Sequence, residues 1–136
     1  MTRFRVTGIP IPQGSMKARV IGKNRASVFH SSSAKLKKWR RNVSISAKAA
    51  IPEKDRLKDA PLSLRLVFEL PRPASARRPA PSVKPDLDKL VRAVFDGLEG
   101  VAFTNDSRVV SLEASKSYAP DGGEPGVTIT IQGAER

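Results

Sequence analysis

Asp86 and Asp88 stand one residue apart in KPDLDKLVRAVFDGL, residues 84–98, inside a chain of formal net charge +12. Two carboxylates at that spacing repel by roughly 4 kcal/mol if they lie about 4 Å apart at an effective dielectric near 20. One aspartate is enough to cap a helix start and meet the positive end of its dipole. A pair calls for a compensating cation. Magnesium suits the task, because it takes one or two protein carboxylates and keeps waters and phosphate oxygens in the rest of its octahedron. The same ion activates water and stabilises the leaving oxygen of a phosphodiester. Arg92, one turn beyond Asp88, or Lys116 would offset the repulsion without a metal, so capping and metal binding both stay open on these residues alone.

Geometry adds a condition. Residues two apart in a regular helix point about 200° from each other, so the pair converges only if Asp86 precedes the first turn. Pro85 favours that, since its fixed φ suits a helix entrance.

Other chemistries find little support. His30 is the only histidine and reads as a loop residue. Ser31–Ser33 have no neighbouring base and read as a helix N-cap. GSMKAR lacks the Gly-Lys-Ser/Thr ending of a nucleotide-phosphate loop. With no cysteine there is no disulfide framework and no thiolate metal site, which fits a reducing, cytoplasmic setting. No apolar run reaches membrane-spanning length, and no small-molecule cofactor motif is present. Asp96 lies about 12 Å along the helix from Asp88 and reads as a solvent-facing residue or a brace of the helix end rather than a ligand.

The elements that must position the aspartates follow from periodicity. RFRVTGIP alternates into a first strand, and ARVIGKNRASVFH breaks at Gly22, Asn24 and Ser27 as a hairpin or loose ribbon over residues 17–25. Leu36, Trp39, Val43 and Ala47 recur at helical steps and predict a helix over 33–50. PLSLRLVFELP places Leu62, Leu64, Leu66, Phe68 and Leu70 on one strand face. The segment 71–85, with five prolines and no acid, is a long basic surface loop. A second helix spans 86–98, with Leu87, Leu90, Val91, Val94 and Leu98 on its stripe and Asn105–Asp106 in a turn after it. Strands RVVSLEASKSY and VTITIQ close the chain. The whole reads as a single α+β domain over 1–136, a mixed β-sheet with two main helices. Trp39 and the phenylalanines fall on core positions.

Charge points to the partner. Residues 1–50 hold twelve Lys or Arg and no acid, and the first acid is Glu53. A face of one sign is an electrostatic footprint for a polyanion, because neutralised phosphates release counterions. The bases that would seat nucleic acid are Lys17, Arg19, Lys23 and Arg25 in the ribbon, Lys35, Lys37, Lys38, Arg40 and Arg41 on the helix, Arg77 and Arg78 in the loop, and Lys89. Most such contacts would go to phosphates.

DLDKLVRAVFDGLEGVAFTNDSRVV resembles the RusA family of Holliday junction resolvases, whose pattern runs D-x-D-N-L-x-K, then D-A-L, then two aspartates before a strand. Asp86, Asp88, Leu90, Asp96 and Leu98 match the first part, and Asp106 matches the second of the paired aspartates. The resemblance implies a homodimeric endonuclease that binds four-way DNA junctions and makes paired cuts dependent on Mg2+, with Mn2+ as a possible substitute. It implies a metal site of Asp86, Asp88 and Asp106 assisted by a lysine one turn into the helix. Here Arg92 stands at that lysine, Lys89 at the Asn and Asn105 at the first downstream aspartate, while Lys116 matches a lysine in the following strand. Two alternatives remain: a binding protein of the same fold that has lost cleavage, and a basic RNA-binding protein whose acids only cap a helix.

Overall fold

The computed structural model describes residues 1–14 and 23–134 of the 136-residue chain. In chain order the elements are β1 (Thr2–Thr7), α1 (Lys23–Ala50), β2 (Leu62–Leu70), α2 (Leu87–Leu98), β3 (Val109–Tyr118) and β4 (Gly126–Gly133), with short 3-10 turns at Glu53–Asp55 and Asp106–Arg108. The four strands form one mixed sheet in the order β1-β4-β2-β3. β4 runs antiparallel to both β1 and β2, whereas β2 and β3 are parallel. A parallel pair needs a crossover, and α2 supplies it.

β2 is one of the two interior strands, and its alternation explains where the helices go. Leu62, Leu64, Leu66, Phe68 and Leu70 are all buried on one face, together with Val127, Ile129 and Ile131 of β4 and Val6 of β1. Trp39, Val43 and Ala47 of α1 and Leu90, Ala93, Val94 and Leu98 of α2 close that core. Phe68 and Phe103 are fully buried, and Phe4 and Phe95 pack against the cluster. The opposite sheet face is polar: a recess of about 390 Å³ there is lined by Arg3, Ser63, Arg65, Glu113 and Thr130 among others.

Two glycines allow close passages. Gly8, at φ +124°, turns the chain out of β1, a conformation that L side chains rarely adopt. Gly97 lets α2 approach α1, since a Cβ there would lie 2.8 Å from Val43 Cβ and 3.0 Å from the Arg40 carbonyl oxygen.

The first helix begins earlier than periodicity predicts. It starts at Lys23 rather than residue 33, so Lys23 and Arg25 are helical and not part of a ribbon, His30 is not in a loop, and Ser31–Ser33 lie inside the helix rather than at its cap. Asn24 and Ser27 suit a turn, yet each costs a helix well under ~1 kcal/mol, and no Pro or Gly interrupts 23–50. The rest of the ribbon reading, with Lys17 and Arg19, lies outside the described residues. Among those residues no helix is long and apolar enough to cross a membrane.

Candidate active site

The proline-rich loop ends at the mouth of α2. Asp86 occupies the N-cap with extended backbone, φ −70° and ψ 140°, and its carbonyl accepts the N–H groups of Lys89 and Leu90 at 3.1 and 3.2 Å. Its carboxylate makes no capping hydrogen bond. The side chain that would ordinarily satisfy the free N–H groups of the first turn is therefore open to another partner. Asp88 sits in the first turn, and both aspartates are exposed. With Asp86 off the helix, the 200° divergence of regular helix does not apply to this pair.

Three cations surround this end. Lys89 Nζ lies 3.5 Å from Asp86 Oδ2. Lys116, reaching across from β3, donates to the carbonyls of Val83 and Pro85, each at 2.7 Å. It thereby ties the segment that presents Asp86 to the sheet. An ammonium has three donors, so one N–H remains after these two bonds. Arg92 is exposed one turn beyond Asp88, at the i+4 position that shares its face. A recess of about 490 Å³ opens beside Asp86, lined by Pro10, Pro12, Gly14, Lys84, Pro85 and Lys89.

Asp106 stands at the other end of the domain. It begins the 3-10 turn that leads into β3, and Val109, the first residue of β3, pairs with Leu62 at the start of β2. Lys116 pairs instead with Phe68 near the end of β2. At ~3.3 Å per strand residue, Val109 and Lys116 are about 23 Å apart. α2 spans a similar distance, ~18 Å at 1.5 Å per residue, between Asp86 and the segment whose Phe103 packs on Phe95. Among the described residues no three His or acidic side chains gather closely enough to hold a metal ion. Within one chain, then, Asp86 and Asp88 share one end and Asp106 occupies the opposite one.

Asn105 has a local task. Its side-chain oxygen accepts the Ser107 N–H at 2.9 Å and caps the 3-10 turn. An aspartate at 105 would do the same, so the departure from the family pattern there leaves the capping bond intact.

The basic residues divide into exposed and engaged. Lys35, Lys37, Lys38 and Arg41 are exposed along α1, as is Arg77 in the loop. Arg40 is not a free cation. It donates to Gln13 Oε1 at 2.8 Å and lies 3.7 Å from Asp96 Oδ2, while Gln13 Nε2 donates to the same carboxylate oxygen at 2.7 Å. Asp96 thus braces α2 against α1 and the strap after β1. Arg78 reaches the Tyr118 hydroxyl at 3.3 Å, and the Arg72 guanidinium stacks 4.3 Å from the Tyr118 ring centre, fixing the loop to the end of β3.

Sequence reasoning missed three of these roles. The pairing of Lys89 with Asp86 had a signal, the i, i+3 spacing of opposite charges. Gln13 and Tyr118 had none, because each acts on residues distant in the chain.

The chain matches the family described as Endodeoxyribonuclease RusA over residues 9–132. It belongs to that family. The match runs from the strap after β1 to the end of β4, so the D-x-D pair, the loop and Lys116 all lie inside it. A Bacillus subtilis (strain 168) relative, "Uncharacterized protein YqaN", is 28% identical over 142 residues, covering 96% of this chain and 94% of that protein. RusA membership implies Holliday junction resolvase activity on branched DNA. It agrees with an α+β domain in which a mixed sheet carries two helices.

Proposed function

We propose that this chain is a Mg2+-dependent endonuclease that resolves four-way DNA junctions as a homodimer, by paired symmetric cleavage. The observation that carries the proposal is the Asp86 carboxylate, which occupies an N-cap position without capping and stands with Asp88 among Lys89, Arg92 and Lys116. Two exposed carboxylates form an all-oxygen donor set, which fits a hard divalent cation that completes its shell with water and phosphate. Such an ion, when bound, neutralises charge on the scissile phosphate and lowers the pKa of the attacking water.

The residues of the chain supply the rest. Asp86 and Asp88 would hold the cation. Lys116 positions Asp86 through the Val83 and Pro85 carbonyls, and Arg92, with its always-charged fork, faces the phosphate to stabilise the pentacoordinate charge. Water would attack phosphorus in line as the bond to the leaving sugar oxygen breaks, its proton passing to bulk solvent, which also protonates the departing oxygen. The bases of α1 seat the DNA arms through phosphates. Because Asp106 stands some 20 Å away in its own chain, a third carboxylate reaches the pair only from a second protomer. A two-fold dimer built in this way carries two sites, one for each strand cut.

A second reading has its own observation. Lys89, paired with Asp86 at 3.5 Å, already compensates the carboxylate charge, which suits a junction-binding protein that does not cleave. One experiment separates the two. A synthetic four-way junction incubated with the protein and Mg2+ should receive two symmetric nicks. Asp86→Asn and Asp88→Asn should abolish the nicks and leave junction binding intact. Binding without cutting in either Mg2+ or Mn2+ would establish the second reading.

A further inference from the structure

We propose that the recess beside Asp86 is a nucleobase subsite, which takes one unstacked base of the cleaved strand next to the scissile phosphate. The position of that phosphate rests on the junction-nuclease reading, whereas the class of ligand rests on the recess itself.

The lining fits one kind of occupant. Pro10, Pro12, Gly14 and Pro85 line a space of about 490 Å³, and its charged lining groups are Lys84, Lys89 and Asp86. A mostly apolar recess of that volume with few polar groups suits one small organic ring system. Pyrrolidine rings are compact C–H surfaces, against which a planar base gains dispersion contacts. Proline is among the side chains that wedge between base steps and unstack them. Extruded bases are held in this way, between apolar side chains, and extrusion costs least where pairing is already interrupted, as at a branch point. Two ammonium groups beside the apolar lining suit the phosphates that flank such a base. A free phosphate would leave the prolines unused, and an uncharged apolar ligand would leave the lysines unused.

Both walls are held from outside the recess. On one side the strap after β1 is clipped to α2, because the Gln13 backbone N–H donates to the Lys89 carbonyl at 2.9 Å and Gln13 Nε2 donates to Asp96 Oδ2 at 2.7 Å. Arg40 Nη1 holds Gln13 Oε1 at 2.8 Å, Ile11 packs against the core, and Pro10 is buried. On the other side Lys116 holds the Val83 and Pro85 carbonyls at 2.7 Å each. With φ fixed at the three prolines, little freedom is lost when a base enters. Gly14 leaves the space open. A Cβ there would meet nothing within 4 Å, so a larger side chain at 14 has room to occupy the recess without displacing a neighbour.

The adenine analogue 2-aminopurine tests this, being dim when stacked and bright when its base leaves the stack for a lining without aromatic rings, as here. The full chain carrying Asp88→Asn, a position outside the lining, is mixed with a four-way junction and Mg2+. With the analogue placed in turn at each nucleotide near the branch point, one position should brighten severalfold. Adding Gly14→Leu should remove that rise, and Gly14→Ala should keep it. In the otherwise unchanged protein, Gly14→Leu should lower kcat/KM for cutting by about tenfold, the low end of what one stacked base contributes. Junction affinity should stay within about threefold, because phosphate contacts carry most of it, and circular dichroism should be unchanged. The subsite is overturned if no position brightens, if the rise survives Gly14→Leu, or if Gly14→Ala removes it as fully. Cutting that needs Asp86 and Asp88 while no base brightens would refute the subsite and leave the nuclease. A base that brightens, and is lost with Gly14→Leu, in a protein that never cuts would refute the nuclease and leave the subsite.

Discussion

Lys89→Asn should tighten divalent metal binding, and the size of the effect can be worked from one distance. Lys89 Nζ lies 3.5 Å from Asp86 Oδ2, with the two side chains 37% and 50% exposed, so the dielectric at the pair is close to that of water. Coulomb's law then gives about 1.2 kcal/mol for the pair, and measured values for exposed pairs bring this to about 0.5 kcal/mol. A divalent ion on Asp86 would also face the ammonium at roughly 5 Å, a repulsion of about 1.7 kcal/mol before salt screening. Removing the ammonium lifts both obstacles. The sum, reduced for screening, is on the order of 1.4 kcal/mol, or about tenfold in metal affinity. Calorimetric titration of Mn2+ into the wild type and the variant measures this without requiring cleavage, and the Mg2+ concentration for half-maximal junction cutting should fall in parallel. Unchanged or weaker metal binding in a folded Lys89→Asn protein would mean that Asp86 is not a ligand.

Two other outcomes follow from the same structure. Replacing Lys35, Lys37, Lys38 and Arg41 together should leave stability nearly unchanged, since all four are exposed, and should lower the slope of log affinity against log salt by up to about 3.6 for duplex DNA arms; an unchanged slope would move the DNA off α1. Gly97→Ala gains about 1 kcal/mol of helix propensity but drives a methyl to within 3.0 Å of Val43 and Arg40, so a net loss of about 1–2 kcal/mol and a melting temperature lower by several degrees are expected; a stabilised variant in thermal unfolding would show that α1 yields.

Local patterns carried far in this chain. The alternation of β2, the stripe of α2 and the proline-rich loop are visible because each is set by neighbours two to four residues away. The start of α1 was not visible, because Asn24 and Ser27 suit a turn and a helix almost equally and the surrounding segment decides. The use of Arg40 was hidden for another reason. Its position off the apolar stripe suggested a free cation, yet Gln13 and Asp96, 27 and 56 positions away in the sequence, meet it when the strap after β1 crosses the two helices.

The sequence by itself determined the chemistry on offer: an acidic pair at a helix mouth, an acid-free basic third, and a family pattern spanning the helix and the strand after it. Only the tertiary structure decided the use of those parts. It left the Asp86 carboxylate uncapped, spent two donors of Lys116 on holding the loop, and set Asp106 at the opposite end of the domain. The reason is the parallel pairing of β2 and β3. A parallel pair forces α2 to run back along the sheet, so residues before and after that helix, twenty positions apart in sequence, are separated by the full length of the domain.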